Sequence, residues 1–174
     1  MSGEDHELVS RFHNGDIAAF DELYHRYKDR LYTYVRGIVS EAAAEDVIQE
    51  VFSRFFSRAR RLRRPGSIKP FLFACAHNSA VDQLRRRASA PLPDDDTLTE
   101  PLDARHDGLS TVRLCLARLR IELREIVFLK AYEEMTLEEI SDVLQRPMGT
   151  VAAQYRAALE KLRAYLEPVR EELA

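Results

Sequence analysis

The residues of this chain that carry chemistry are arranged for binding rather than for making or breaking bonds. The five histidines, His6, His13, His25, His77 and His106, are scattered. No glycine-rich phosphate loop, metal-spaced Cys/His set or nucleophile elbow occurs. His77 stands close to Cys75 and Asn78, the residue types of a thiol protease. Side chains two and three apart on one helix do not build that geometry. What does cluster is charge. Arg54, Arg58, Arg60, Arg61, Arg63 and Arg64 put six arginines into 11 residues with no acid between them. Placing bases at the end of a helix suits its dipole, yet that does not require six of them, and the density makes a candidate phosphate-binding surface. Just before them lies an acidic face of Glu45, Asp46, Gln49 and Glu50. Just after, Asn78, Asp82, Arg85 and Arg86 recur at helical spacing, residue types suited to base edges and phosphates. A merely solvated polar face has the same pattern.

A second candidate lies near the C-terminus, in TLEEISDVLQRPMGTVAAQYRAALEKLR, from Thr136 to Arg163. Thr136 followed by Glu139 is a capping box, in which hydroxyl and carboxylate each satisfy an orphan backbone N–H. Leu137, Ile140, Val143 and Leu144 form the apolar stripe of one helix. Pro147 is expected to end it and to start the next. Val151, Tyr155, Ala158, Leu159 and Leu162 give the second stripe. Two helices with a tight turn are the unit that lays a second helix in the DNA major groove; an ordinary αα-hairpin of a bundle has the same pattern.

The elements that must position these residues are all helical, with no credible strand and no internal repeat. Glu4 to His13 is an amphipathic helix carrying Leu8, Val9 and Phe12, closed by Asn14-Gly15, with Asp16 capping its successor. Phe20, Leu23, Tyr24, Tyr27, Leu31, Tyr34, Val35 and Ile38 form the buried face of that long helix. Its tyrosines, with Tyr32, have the look of a base-stacking set, but core aromatics with polar tips explain them better. After a break at Gly37–Glu41, Ser40 starts a third helix with Val47, Ile48, Val51, Phe52, Phe55 and Phe56 inward. Pro65-Gly66 and Pro70 bracket a loop. A fourth helix, FLFACAHNSAVDQLRRR, buries Phe71, Leu72, Cys75, Ala76, Ser79, Val81 and Leu84. From Ala88 to Asp107 periodicity stops, and three prolines and a run of aspartates predict an extended acidic linker. Helices resume at Gly108, with Val112, Leu114, Cys115, Leu116 and Leu119 in one and Leu123, Ile126, Val127, Leu129 and Tyr132 in the next.

Length and charge agree with two small domains. The 174 residues carry 45% hydrophobic side chains, enough for a core, and a net charge of −3. That near-neutral total conceals segregation. Residues 1–90 hold 15 Lys/Arg against 12 Asp/Glu, and residues 91–107 hold one Arg against six acids. A partner responds to this pattern rather than to the total. The two cysteines, Cys75 and Cys115, each fall in an apolar helical pattern and are expected to be reduced core thiols. No apolar stretch reaches 18 residues and no secretory signal opens the chain, so a soluble cytosolic protein is expected.

In its order of basic-ended helix, loop, Asn/Asp/Arg helix, acidic linker and terminal helix-turn-helix, the chain resembles the extracytoplasmic-function (ECF) sigma factors of bacterial RNA polymerase. The resemblance covers about residues 5–165. GDIAAFDELYHRYKDRLYTYV is similar to the opening of their region 2, and AEDVIQEVFSRFF to the segment that docks on the polymerase β′ clamp. FLFACAHNSAVDQLRRR is similar to the segment that reads and melts the promoter −10 element. LREIVFLKAYEEMTLEEISDVLQRPMGTV looks like region 4, which reads the −35 element. The resemblance implies an all-α fold: a region 2-like domain at 1–88, an acidic linker at 89–107 and a region 4-like domain at 108–174.

It also implies roles. Asp46, Gln49 and Glu50 match the polymerase-docking face. Asn78 matches the position lining the pocket for a flipped −10 base, Asp82 a neighbouring position, and the loop from Arg63 through Arg64 to Lys69 the segment that holds that base. Arg85, Arg86 and Arg87 would grip the DNA backbone. Gly149, Thr150, Ala152, Ala153, Gln154 and Arg156 occupy the −35 positions, with the N–H groups of Gly149 and Thr150 open to a phosphate. The linker would thread through the polymerase, or serve simply as a solvated tether. Implied partners are core RNA polymerase (β′ clamp and β flap), promoter DNA and an anti-sigma factor. No cofactor, metal, membrane insertion, small-molecule substrate or enzyme activity is implied.

Three departures stand out. The usual Trp of the −10 segment is Phe71, and the usual Leu-Pro at the start of region 4 is Leu119-Arg120. After Gly-Thr-Val, where the family has basic residue, Ser, Arg, this chain has Ala152, Ala153 and Gln154. Only Arg156 and Lys161 stay basic there, which predicts weak or unusual −35 contact. Beside the promoter-recognition subunit, two other readings remain open: a sigma-like module acting mainly by protein contacts, and an independent dimeric helix-turn-helix repressor.

Overall fold

A computed structural model describes residues 3–59, 68–89 and 108–172. All regular structure among them is helical, and the chain divides into two compact units, Met1–Asp95 and Asp96–Ala174.

The first unit contains α1 (Gly3–His13), α2 (Ile17–Arg36), α3 (Glu41–Ala59) and α4 (Ile68–Ser89). Gly15 turns the chain at φ +94°, a left-handed conformation that L side chains rarely adopt. Asp16 then caps α2, its Oδ1 accepting from the Ala18 N–H at 3.0 Å. Across the same pair of helices, Asp5 accepts from the Tyr27 hydroxyl at 2.5 Å and pairs with Arg26 at 2.7 Å. The core consists of Phe12 from α1, Leu23, Tyr27 and Leu31 from α2, Val47, Val51 and Phe55 from α3, and Leu72, Phe73 and Ala76 from α4. Burying each large side chain stabilises the unit by roughly 1.5–3 kcal/mol. His77 is also buried, its Nδ1 3.2 Å from the Tyr34 hydroxyl, so it ties α4 to α2.

Several expectations change here. The fourth helix begins at Ile68, not after Pro70. A proline in the first turn is tolerated because the N–H it lacks has no intrahelical partner there. Lys69 is therefore helical rather than part of a loop. The helix also runs through Ala88 to Ser89, past the expected start of the linker. Packing against α1, α2 and α3 buries α4 on more than one face. Phe73 and Ala80 are thus inside as well, while Leu84 is 39% exposed near the free end. Phe56, expected inward, is 47% exposed. Ser40 precedes α3, its carbonyl accepting from Ala44.

The second unit contains α5 (Gly108–Ala117), α6 (Ile121–Val127), a π-helical turn (Phe128–Tyr132), α7 (Leu137–Leu144) and α8 (Met148–Glu172). Of the expected α5 stripe only Cys115 is buried within the helix; Val112 and Leu114 are exposed. Leu119 is buried beyond the helix end, in a cluster with Leu123, Val127 and Ala158 against which Leu116, Tyr155, Leu162 and Tyr165 pack. The π turn was not anticipated. Its wider winding closes with the Glu133 N–H bonded to the Phe128 carbonyl, five residues back. The extra residue rotates the face, leaving Tyr132 64% exposed and stacked on Phe128 while Glu133 is buried in its stead.

Thr136 and Glu139 form both hydrogen bonds of the capping box, at 3.1 and 2.8 Å. Gln145, left-handed at φ 52°, closes α7, its N–H reaching Ser141. Pro147 therefore does not end α7 itself. It lies just before α8 and contributes its carbonyl, which accepts from Thr150 at 2.9 Å and Val151 at 3.1 Å. Leu159, expected inside, is 43% exposed.

Candidate nucleic-acid and protein interfaces

On α3, Asp46 and Gln49 are exposed and Glu50 is half-buried. Residues 46, 49 and 50 share a face because three and four positions span one helical turn. Glu50 is not a lone acid: Arg54, one turn on, pairs with it at 2.5 Å. That contact also offsets part of the charge that Arg54 brings to the basic cluster. Beside this face lies an open groove of about 360 Å³, lined by Phe20 and Tyr24 of α2 and by Gln49, Phe52, Ser53 and Phe56 of α3. Its rings are mutually braced, with Phe20–Phe56 centroids 5.2 Å apart and Tyr24–Phe52 4.6 Å apart. Sequence reasoning assigned these aromatics to the core. The available signal was an apolar stripe on α3 wider than one facing helix can cover. Gln49 belongs to both acidic face and groove, so polar and apolar contact are available on one rigid surface.

On α4, Asn78 is half-buried and Asp82, Arg85 and Arg86 are exposed. Asp82 and Arg85 approach at 3.8 Å while remaining 51% and 78% exposed, a solvated contact that contributes little to stability. Lys69 is half-buried in the first turn of α4. Arg63 and Arg64 lie outside the described residues, as do Arg60 and Arg61; of the side chains of Arg58 and Arg87 nothing is described.

On α8, Gly149, Thr150, Ala153 and Arg156 are exposed, and Ala152 and Gln154 are half-buried. The Thr150 N–H is engaged by Pro147, which takes it out of the pair of amides expected to meet a phosphate. One residue that the sequence marks only as part of the break between the two helices matters here. Arg146, in the turn, pairs through Nη2 with Glu125 of α6 at 2.6 Å, and its Nη1 lies 3.5 Å from the Gln154 Oε1. The Glu125 side chain is only 5% exposed. The cation nearest the start of the recognition helix is thus occupied inside the fold. The partners are 21 residues apart, and no local pattern signals the pair.

Among the described residues no cluster of three His, Cys, Asp or Glu side chains is arranged to hold a metal ion. No helix there is long and apolar enough to cross a membrane. Cys75 is half-buried and Cys115 buried, and neither is joined in a disulfide.

Comparison with known proteins accounts for both units. Residues 23–90 match the family model for sigma-70 region 2 and residues 109–162 that for sigma-70 region 4. The chain is 28% identical to the RNA polymerase sigma-H factor of Pseudomonas aeruginosa, over 97% of each chain. It is 30% identical to the RNA polymerase sigma factor CarQ of Myxococcus xanthus, covering 95% of this chain and 99% of that one. Among solved structures it shares its fold with CnrH in complex with the cytosolic domain of CnrY, at a TM-score of 0.66 and 22% identity, covering 95% and 98% of the two chains. RpoE of Bartonella quintana, solved with the anti-sigma factor NepR, matches at a TM-score of 0.68 and 18% identity, covering 85% of this chain and 96% of that one. With region 2 and region 4 matched in that order on two helical units, and with relatives that align over nearly its whole length, the chain belongs to the sigma-70 family, in its ECF branch, and is a sigma factor that directs RNA polymerase to promoters.

Proposed function

We propose that residues 1–88 carry most of the binding energy of initiation, that residues 89–107 are an acidic linker, and that residues 108–174 make a weaker, less charge-dependent contact with the −35 element. The observation that carries this is the contrast between the two DNA-facing helices. On α4, Arg85 and Arg86 are exposed beside Asn78 and Asp82, whereas α8 presents Ala153 with half-buried Ala152 and Gln154. Asp46, Gln49 and Glu50 dock on the β′ clamp, where acid gives specificity and rate more than raw affinity. The adjoining groove of Phe20, Tyr24, Phe52 and Phe56 adds apolar burial to the same contact. Asn78 meets a base taken from the −10 stack, which costs a few kcal/mol to extrude and must be repaid in hydrogen bonds and stacking. Asp82 lies beside it, and Lys69, Arg85, Arg86 and Arg87 hold the strand, with Arg63 and Arg64 of the preceding segment. Gly149, Thr150, Gln154 and Arg156 face the −35 duplex while Ala152 and Ala153 allow close approach, and this unit also meets the β flap.

The protein acts in the bacterial cytoplasm, without cofactor, metal or enzymatic step. An anti-sigma factor, the class of partner named for RpoE, holds it from polymerase until released. A second reading has one observation in its favour. The neutral recognition helix, with Arg146 tied to Glu125, suits a sigma-like module that works mainly by binding polymerase or a regulator. Transcription in vitro with purified core polymerase on the source genome separates the two. Promoter-specific transcripts support initiation; polymerase binding without transcripts supports the second; DNA binding without polymerase would overturn both in favour of an independent repressor.

A further inference from the structure

The contact between the turn and the recognition helix has a consequence for base choice, and it rests on the reading that α8 faces the −35 duplex. We propose that Arg146 is a positioning residue that fixes the hydrogen-bonding polarity of Gln154, so that Gln154 presents its amide NH2 to DNA and selects guanine rather than adenine.

A free glutamine side chain reads adenine by pairing its oxygen with the N6 amino group and its nitrogen with N7. That requires both ends of the amide. In this chain the Gln154 Oε1 lies 3.5 Å from the Arg146 Nη1. A guanidinium has five donors and no acceptor, so the amide group opposite it must turn its oxygen inward. At 3.5 Å the contact is long, and its effect is to orient rather than to bind tightly. Arg146 cannot readily move aside, because its other nitrogen pairs with Glu125 at 2.6 Å and the Glu125 side chain is 5% exposed. Withdrawing the arginine would take its close hydrogen-bonded cation from that buried carboxylate. With the oxygen turned back toward the turn, the two N–H bonds of Gln154 are the end left to meet a base. Two donors from one nitrogen suit the adjacent O6 and N7 acceptors of guanine; adenine offers N7 alone and opposes its own amino group to them.

Because guanidinium forks, one arginine can serve Glu125 and Gln154 together. A lysine at 146 would keep the charge opposite Glu125 but supply a single point donor. The test is transcription by polymerase reconstituted with the full-length chain on promoters randomised through the −35 element, comparing wild type with Gln154→Ala, Arg146→Lys and the pair Glu125→Gln/Arg146→Met. Wild type is expected to enrich guanine roughly fivefold at one base pair, the scale of one net hydrogen bond. Gln154→Ala, which truncates a half-buried side chain to a good helix former, abolishes enrichment at that base pair alone with thermal unfolding unchanged. Arg146→Lys and the neutral pair broaden it to guanine and adenine. Adenine enrichment by wild type, guanine enrichment surviving Gln154→Ala, or no broadening in either Arg146 variant overturns the inference while leaving −35 contact standing. Transcription indifferent to every −35 base overturns both.

Discussion

Placing a lysine at position 152 is the sharpest probe of how this chain meets the −35 element. Each protein cation that neutralises a duplex phosphate adds about 0.9 to the slope of log affinity against log salt. At 0.1 M salt that corresponds to roughly eightfold tighter binding per contact, taking 1 M as reference. Ala152 is half-buried near the start of α8, and its neighbour Ala153 is exposed, so a longer side chain at 152 has a route to solvent. Ala152→Lys is therefore expected to gain the full contact with unfolding temperature unchanged. Gln154→Arg, the other substitution toward the family pattern, should behave differently. Its side chain would enter beside Arg146, whose Nη1 is 3.5 Å from the present Gln154 oxygen. Two guanidiniums would then share one buried carboxylate, Glu125. Like charges 4 Å apart repel by about 4 kcal/mol at an effective dielectric of 20 before Glu125 offsets part of it. The gain in DNA affinity should accordingly fall short of eightfold and come with lower stability. Holoenzyme binding to a −35 duplex, titrated at about 50 and 200 mM salt, gives affinity and slope together. If Ala152→Lys leaves both unchanged, no phosphate lies within reach of this face of α8 and the account of a charge-depleted recognition helix is wrong.

Three further perturbations follow from the packing. Phe55 is fully buried against Phe12, Phe20 and Phe71, so Phe55→Ala should cost about 3–5 kcal/mol in urea unfolding, whereas Phe56→Ala, at a ring 47% exposed in the groove, should change stability little and weaken binding to core polymerase; equal losses of stability would mean the groove is core. Arg146→Met should destabilise the second unit by about 1.5–3 kcal/mol by removing the charged hydrogen bond to buried Glu125, and adding Glu125→Gln should recover part of that loss in thermal unfolding. Burial, then the hydrogen bond to Asp5, hold the Tyr27 hydroxyl far above its ordinary pKa of 10.0; the unfolded chain therefore loses this proton first, stability is complete below pH 10 and declines as pH rises above it, and Tyr27→Phe should flatten that alkaline limb in a pH series of unfolding free energies.

Where structure follows from neighbours in sequence, it was legible. Thr136 and Glu139 are three residues apart and form the capping box they predict. The stripes of α1, α2 and α7 identify buried faces because regular helices repeat every 3.6 residues. Legibility fails where that repeat is broken. The π turn at Phe128–Tyr132 inserts a residue per turn, so a 3.6 periodicity assigned Tyr132 to the core and overlooked Glu133. It also fails at the margins of a stripe. Phe20 and Phe56 have the composition of core, but Phe12 of α1 meets each ring on one side only, at 5.5 Å, and the packing of the helices leaves their other sides lining a groove. Of the candidate sites, the exposed side of α4 could be read because Asp82, Arg85 and Arg86 project from one helix. The Glu125–Arg146–Gln154 chain could not, since it joins residues on α6, the turn and α8.

That chain bears on how the two units share promoter recognition. An exposed arginine contributes to DNA affinity by releasing counterions, so its share disappears as salt rises. Arg85 and Arg86 on α4 are of this kind. On α8, which continues to Glu172, Arg163 is exposed as well as the expected Arg156 and Lys161, but Glu160 lies among them and Arg146 is paired with Glu125. On the proposed reading, discrimination at the −35 element would rest on direct hydrogen bonding by Gln154 and on close approach over Ala152 and Ala153, neither of which requires counterion release. Raising salt should therefore weaken the grip of α4 on the −10 strand faster than it erodes base choice at −35. The fraction of −35 selectivity retained at high salt measures how far this recognition helix has exchanged phosphate attraction for base contact.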